Sequence, residues 1–192
     1  MYQRAQLISA LWSAFAISGP FTVAVVPLKR VPKKFVRRVG NLLDKGVGIT
    51  PEKRSGQKGI FQEYGIDDAI ELGIGLSMLN VGLPQSETVT YLTRFREELR
   101  RQIAALYGAP SPYFLVVRPK ALRDTARLYV PLPERVSDRM DFWEPSFVGD
   151  QDALAKEMEG PTAELILIEI GRLARRLQQA LPETRTSNRG RQ

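Results

Sequence analysis

Ten of the chain's twenty-eight basic residues lie between Lys29 and Lys58, accompanied by only two acids, Asp44 and Glu52. That stretch carries +8 in a chain whose net charge is +7, so everything outside it sums to −1. Charge this local has to stay at a surface. It is the electrostatic footprint of a protein that meets a polyanion through one small region. The cations form two groups. Lys29, Arg30, Lys33, Lys34, Arg37 and Arg38 fall on an expected helix and the residues leading into it, and Lys53, Arg54 and Lys58 fall on a later glycine-containing loop. A solvated basic face is the competing reading, and the bipartite layout favours nucleic acid.

The chain contains neither Cys nor His. Disulfides, thiolate nucleophiles and cysteine-ligated metals are excluded, and the commonest general base and metal ligand is missing. The expectation is a non-enzyme with no catalytic residue, no metal site and no cofactor. Asp138, Asp141 and Glu144 sit on an expected loop with nothing to complete a metal site, and read as solvated charges. At 192 residues and 43% hydrophobic content the chain can bury a real core, as one domain or two small ones.

From Ala5 to Leu28 no residue is charged, while Arg4 precedes and Lys29-Arg30 follow, the outline of a signal peptide or membrane span. The polar Gln6, Ser9, Ser13, Ser18 and Thr22 and the Gly19-Pro20 break argue instead for a buried helix with a flanking turn. The expected compartment is cytoplasmic.

Spacing supplies the elements. In 4–17, Leu7, Leu11, Ala14 and Phe15 recur at helical intervals, predicting an amphipathic helix ended by Ser18-Gly19-Pro20. Residues 21–30 stay ambiguous between a strand and a short helix interrupted at Pro27. Pro32 suits the first turn of a helix that ends at Gly46. Its inner stripe is Phe35, Val36, Val39, Leu42 and Leu43, with Lys33, Lys34, Arg37 and Arg38 opposite. Residues 47–65, with four glycines and a proline, read as a small hairpin. A helix follows from Ile66 or Asp67 to Leu79, then a turn at 80–84, then a longer helix from Ser86 to Leu106 or Tyr107. Gly108 to Pro112 reads as a linker, 113–117 and 126–130 as strands, and 165–168 as a strand or helix start running into an amphipathic helix.

Two clusters leave alternatives open. Leu92, Leu99 and Leu106 recur every seven residues, with Phe95 and Ile103 between them. The stripe suits either a short coiled-coil contact with a second copy or packing within its own domain. Tyr113, Arg118, Tyr129, Phe142, Trp143 and Phe147 suit either a pocket for a planar anionic ligand or the core of a small α/β unit.

A helix and a basic loop presented to one partner is how a winged helix-turn-helix holds DNA. The run VRRVGNLLDKGVGITPEKRSGQKGIFQEYGIDDAIELGIGLSMLNVGLPQSETVTYL, from Val36 to Leu92, resembles the DNA-binding module of MerR-family transcription regulators. Lys45-Gly46-Val47 and Thr50-Pro51 match that family's approach to a Pro-bearing turn. Lys53 to Gly59 matches its wing, Tyr64 to Asp68 the opening of the next helix, and Leu79 to Leu83 its hydrophobic-Gly turn. The resemblance covers about a third of the chain. It departs where Pro27 and Pro32 bracket Leu28–Val31 in place of a tight turn, and in a longer helix from Lys33 to Lys45.

The resemblance implies an α+β fold. A winged helix-turn-helix domain would span 1–85, a dimerisation helix 86–107, a small C-terminal α/β effector or partner domain 113–182, and a disordered tail 183–192. It implies a sequence-specific homodimer on double-stranded DNA, RNA polymerase as a further partner, and a small-molecule effector that the residues do not identify. Lys33, Lys34, Arg37, Arg38, Lys53, Arg54 and Lys58 would meet DNA, and Leu92, Phe95, Leu99, Ile103 and Leu106 would form the dimer contact. The alternatives are an excisionase-like architectural protein that bends DNA, and an interaction protein that docks its basic patch on an acidic partner or anionic membrane.

Overall fold

A computed structural model describes residues 1–16, 25–49, 62–106, 112–119, 144–159 and 165–186. Among them the chain is α+β and mostly helical, with seven α-helices, one 3-10 turn and a three-stranded antiparallel sheet. It divides into two compact units, Met1–Leu76 with Arg172–Gln192, and Ser77–Gly171.

In the first unit, α1 (Arg4–Ala16) corrects the amphipathic expectation. Leu7, Ile8, Ser9, Ala10 and Leu11 are buried in succession, with Ser13 and Ala14 beyond them. Five consecutive positions pass more than once around a helix of 3.6 residues per turn, so α1 is enclosed on every side. A segment without charge permits this, and its small Ser and Ala residues carry little that needs water. The Ser13 hydroxyl donates to the Ser9 carbonyl at 2.9 Å. No helix among the described residues is long and apolar enough to cross a membrane.

After the 3-10 turn Leu28–Arg30 comes α2 (Lys33–Asp44), and later α3 (Ile66–Asn80). Residues 68–76 of α3 are all buried, including two carboxylates. Both accept backbone hydrogen bonds. Asp68 Oδ2 takes the Gly65 N–H at 2.8 Å, the third helical residue reaching back over the helix start. Glu71 Oε1 takes the Gly48 N–H at 3.0 Å.

Helices α2 and α3 end in the same way. Gly46 (φ 86°) and Gly82 (φ 97°) adopt the left-handed conformation that glycine allows without penalty. Gly46 N–H then bonds the Leu43 carbonyl at 2.8 Å and Val47 N–H the Leu42 carbonyl at 3.0 Å; Gly82 and Leu83 repeat the pattern on Leu79 and Met78 at 3.2 and 3.1 Å. These are Schellman caps, with the apolar pairs Leu42/Val47 and Met78/Leu83 buried beside them.

The last helix, α7 (Ile170–Thr186), belongs to the first unit from Arg172 onward, which moves it out of the expected C-terminal domain. Its contacts explain why. Leu173 sits so close to Gly73 of α3 that a Cβ there would lie 2.7 Å from Leu173 Cδ2. Arg176 Nη1 donates to the Ala14 carbonyl at 3.1 Å, and Gln6 Nε2 to the Thr184 carbonyl at 3.5 Å. Helix therefore continues past Pro182 to Thr186, four residues into the expected disordered tail. The boundary between the two units falls at Leu76–Ser77, inside α3.

The 50–61 part of the expected hairpin lies outside the described residues. On its near side Val47, Gly48 and Ile49 are buried, and on its far side Tyr64 pairs antiparallel with Tyr2 through two 2.9 Å bonds. Sixteen residues separate Ala16 from Lys33, so no three- or four-residue turn joins α1 to α2.

In the second unit the expected helix over 86–107 is two helices, α4 (Gln85–Arg94) and α5 (Arg96–Ala105). Between them Phe95 leaves helical geometry, at φ −102° and ψ 16°, with its ring 5.0 Å from that of Tyr91. The sheet has β1 (Phe114–Val117) at its centre, between β2 (Ser146–Val148) and β3 (Ile166–Glu169). Leu115 stands opposite Phe147 on one side and Ile168 on the other. Leu115, Val116 and Val117 are all fully buried, so β1 is covered on both faces and reads as an apolar run without alternation. Helix α6 (Gln151–Met158) is one that spacing does not announce. None of its residues is buried, so no apolar period marks it, although Asp150 caps it by accepting the Ala153 N–H at 2.6 Å. The strand expected at 126–130 and most of the 108–112 linker lie outside the described residues.

Candidate nucleic-acid interface

Six cations of the first group reach the surface together. Lys29, Arg30, Lys33, Lys34, Arg37 and Arg38 are exposed, and no acid precedes Asp44 anywhere in the chain. On α2 the four cations occupy positions i, i+1, i+4 and i+5, one side of the helix. Val39, Leu42 and Leu43 are buried on the other side, and Gly40 lies against the Arg4 guanidinium. Phe35 meets Trp12 of α1 edge-on, with ring centroids 5.0 Å apart. The cationic face is thus fixed by the burial of its reverse. The carboxylate that ends it, Asp44, faces Arg4 at 3.8 Å, and both side chains are more than half exposed, so this pair adds little.

The 3-10 turn ahead of α2 is pinned at both ends. Ser13 Oγ accepts the Val26 N–H at 2.9 Å while donating to α1, and Val31 is 6% exposed. Arg30 N–H and Val31 N–H bond the Pro27 and Leu28 carbonyls at 2.8 and 3.0 Å. Pro27 and Pro32 flank the turn with φ of −57° and −58°. Ser13 escapes a sequence reading because a serine inside an apolar helix shows no sign of what it will bond.

The second basic group, Lys53, Arg54 and Lys58, lies outside the described residues. Three of the five residues expected to form the dimer contact are buried in the single chain. Leu92, Leu99 and Ile103 have no exposed surface, Phe95 is half-buried at the break between α4 and α5, and Leu106 is half-buried at the end of α5. Leu92, Leu99 and Ile103 are thus covered by the chain itself, while Phe95 and Leu106 keep part of their surface. A seven-residue recurrence records an apolar face and not the surface that covers it.

Of the aromatic and arginine cluster, Tyr113, Arg118 and Phe147 fall among the described residues. Arg118 is held by the Glu157 carboxylate, by the Glu157 carbonyl at 2.7 Å and by Ser146 Oγ at 3.3 Å, tying β1 to β2 and α6. Tyr113 donates its hydroxyl to Gln102 Oε1 at 3.0 Å, and its carbonyl accepts the Gly171 N–H at 3.1 Å. Phe147 is half-buried on β2, Glu144 is exposed, and Tyr129, Asp138, Asp141, Phe142 and Trp143 lie outside the described residues. No group of three or more His, Cys, Asp or Glu is placed to hold a metal ion among the described residues.

The geometry that remains is a rigid, one-sided cationic helix led by a pinned basic turn, a surface suited to a row of phosphates. Comparison with known proteins adds no relative: no protein-family model matches this chain, and no curated protein matches it in sequence.

Proposed function

We propose that this chain is a sequence-specific, double-stranded-DNA-binding regulator of MerR-like type, with α2 as its recognition helix. The observation that carries the reading is the exposed cationic face running from Lys29 to Arg38, with no acid before Asp44 at the end of α2, backed by the buried Val39, Leu42 and Leu43. Arg37 and Arg38 offer guanidinium forks that match guanine O6 and N7, and Lys33 and Lys34 supply point charges for phosphate. Lys29 and Arg30 extend the backbone contact ahead of the helix. The resemblance assigns the wing cations Lys53, Arg54 and Lys58 to the same duplex. A homodimer on a two-half-site operator remains part of this reading, through a surface other than the buried Leu92, Leu99 and Ile103. RNA polymerase contact and a small-molecule effector follow from the resemblance alone.

The test is an anisotropy titration of a genomic duplex pool at several salt concentrations, followed by sequencing of the bound fraction. An enriched motif with two half-sites is expected. Arg37→Ala with Arg38→Ala should erase the motif, at a cost of about 1–3 kcal/mol for each guanine pairing removed, with the fold intact by circular dichroism. Each phosphate left without its cation should reduce the log–log salt slope by about 0.9. Unchanged motif selection by the double variant places recognition elsewhere. Absence of binding at low salt retires the DNA reading.

A further inference from the structure

Leu28 is 39% exposed, one of five large apolar side chains left exposed among the described residues. The other four are Met1, Val81, Met158 and Leu167, and none of them stands within a run of cations. Leu28 does: Lys29 and Arg30 follow it directly, and Lys33 and Lys34 begin the next helix. It is also the tip of a turn built to hold still. Proline precedes it, two backbone bonds close the turn behind it, the Ser13 hydroxyl anchors Val26 on one side, and buried Val31 anchors the other.

Resting on the DNA reading of α2, we propose that Leu28 is an apolar wedge that enters the minor groove of duplex DNA and partly unstacks one base step. Proteins that kink DNA in this way insert Leu, Ile, Phe, Met or Pro between base steps and hold the flanking phosphates with cations. Leu28 supplies the wedge, with Pro27 stiffening its base. Lys29 and Arg30 are adjacent in the chain to grip phosphates on either side of the opened step. Unstacking is cheapest at flexible pyrimidine–purine steps, so such steps are the preferred point of entry. An anionic bilayer also receives leucine beside cations, but interfacial anchoring scales with the apolar area inserted. Val39, Leu42 and Leu43 of α2 are buried, and Leu28 is the one exposed large apolar side chain beside these cations among the described residues, a small apolar area that favours DNA.

The experiment uses the full chain and a duplex of about 30 bp carrying TA and CA steps, with fluorophores at both ends. Energy transfer reports bending, and anisotropy over a salt series reports binding. The expected result is increased end-to-end transfer on binding wild type. Leu28→Ser should keep affinity within about threefold and the same salt slope, yet leave the duplex straight. Leu28→Phe, a larger wedge, should restore the bend. A duplex that wild type binds without bending, or that Leu28→Ser bends equally, overturns the wedge and leaves DNA binding by α2 standing. Wild type that ignores the duplex at about 50 mM salt overturns both readings. Leu28-dependent sedimentation with phosphatidylserine vesicles, in that case, assigns the turn to a membrane surface.

Discussion

Gly48 tests a close approach in the first unit, that of the turn after α2 to the enclosed helix α3. Its φ of +70° is a conformation that an L side chain adopts at a cost of about 1 kcal/mol. A Cβ at this position would also lie 2.9 Å from Leu72 Cγ and 3.0 Å from the Asp68 carbonyl oxygen. Leu72 could rotate away, but the carbonyl is helix backbone and cannot move without lifting the turn from α3. Overpacking of this kind costs about 1–3 kcal/mol. Gly48→Ala should therefore destabilise by about 2–4 kcal/mol. For a chain of this length that lowers the melting temperature by roughly 4–16 °C. Gly82→Ala is the control, because Gly82 shares the positive φ, at 97°, but a Cβ there would meet nothing within 4 Å. It should lose only about 1 kcal/mol, or about 2–4 °C. Differential scanning calorimetry of the three proteins at one pH measures both. The difference between the variants isolates the steric contribution. Equal losses would refute the close approach of Gly48 to α3 and, with it, the Glu71–Gly48 hydrogen bond as the clasp of this turn.

Two further outcomes separate packing from association and follow burial into pH. Leu99→Asp places a carboxylate where the leucine has no exposed surface, so the variant should lose well over about 4 kcal/mol and fail to melt cooperatively at any protein concentration. A folded variant that only drops from dimer to monomer in sedimentation would show Leu99 to be an interface residue instead. Burial pushes the Tyr91 phenol well above its ordinary range, and burial also raises Tyr64, with Arg4 partly opposing it. Each group's neutral form is favoured by folding, so its contribution is complete below about pH 10 and is lost as pH climbs above that value. Urea melts between about pH 8 and 11 should show stability falling only at the alkaline end. Stability that stays level up to about pH 11 would contradict the burial of both.

Some of this architecture is legible residue by residue. The bounds of α2 follow from Pro32 at its start and Gly46 beyond its end, and those of α3 from its apolar run and Gly82. In each case the cause is local: a proline preset for the first turn, a glycine free to turn left-handed. The solvent-facing side of α2 is equally plain, since four cations on one helical side have nowhere to go but out. The 4–16 segment shows the limit. Its spacing announces a helix, but its enclosure on every side depends on which elements surround it. The stripe of Leu92, Leu99 and Ile103 shows it again, because an intramolecular core and a two-copy seam demand the same period. α6 shows the converse, a capped helix with no buried residue and therefore no pattern to read.

The bounds of α2 and α3, the buried strand β1 and the gathering of positive charge in one region are all written into short stretches of chain. They depend on backbone preference, charge and the period of apolar residues, which act over a few residues at a time. Packing in three dimensions settled the rest: α1 is enclosed, α7 returns to the first unit, Leu92, Leu99 and Ile103 are covered by the chain itself, and Leu28 is left exposed among cations. Burial is a property of what packs over a side chain, and its partners here come from as far apart as Gln6 and Thr184. No local pattern records that distance.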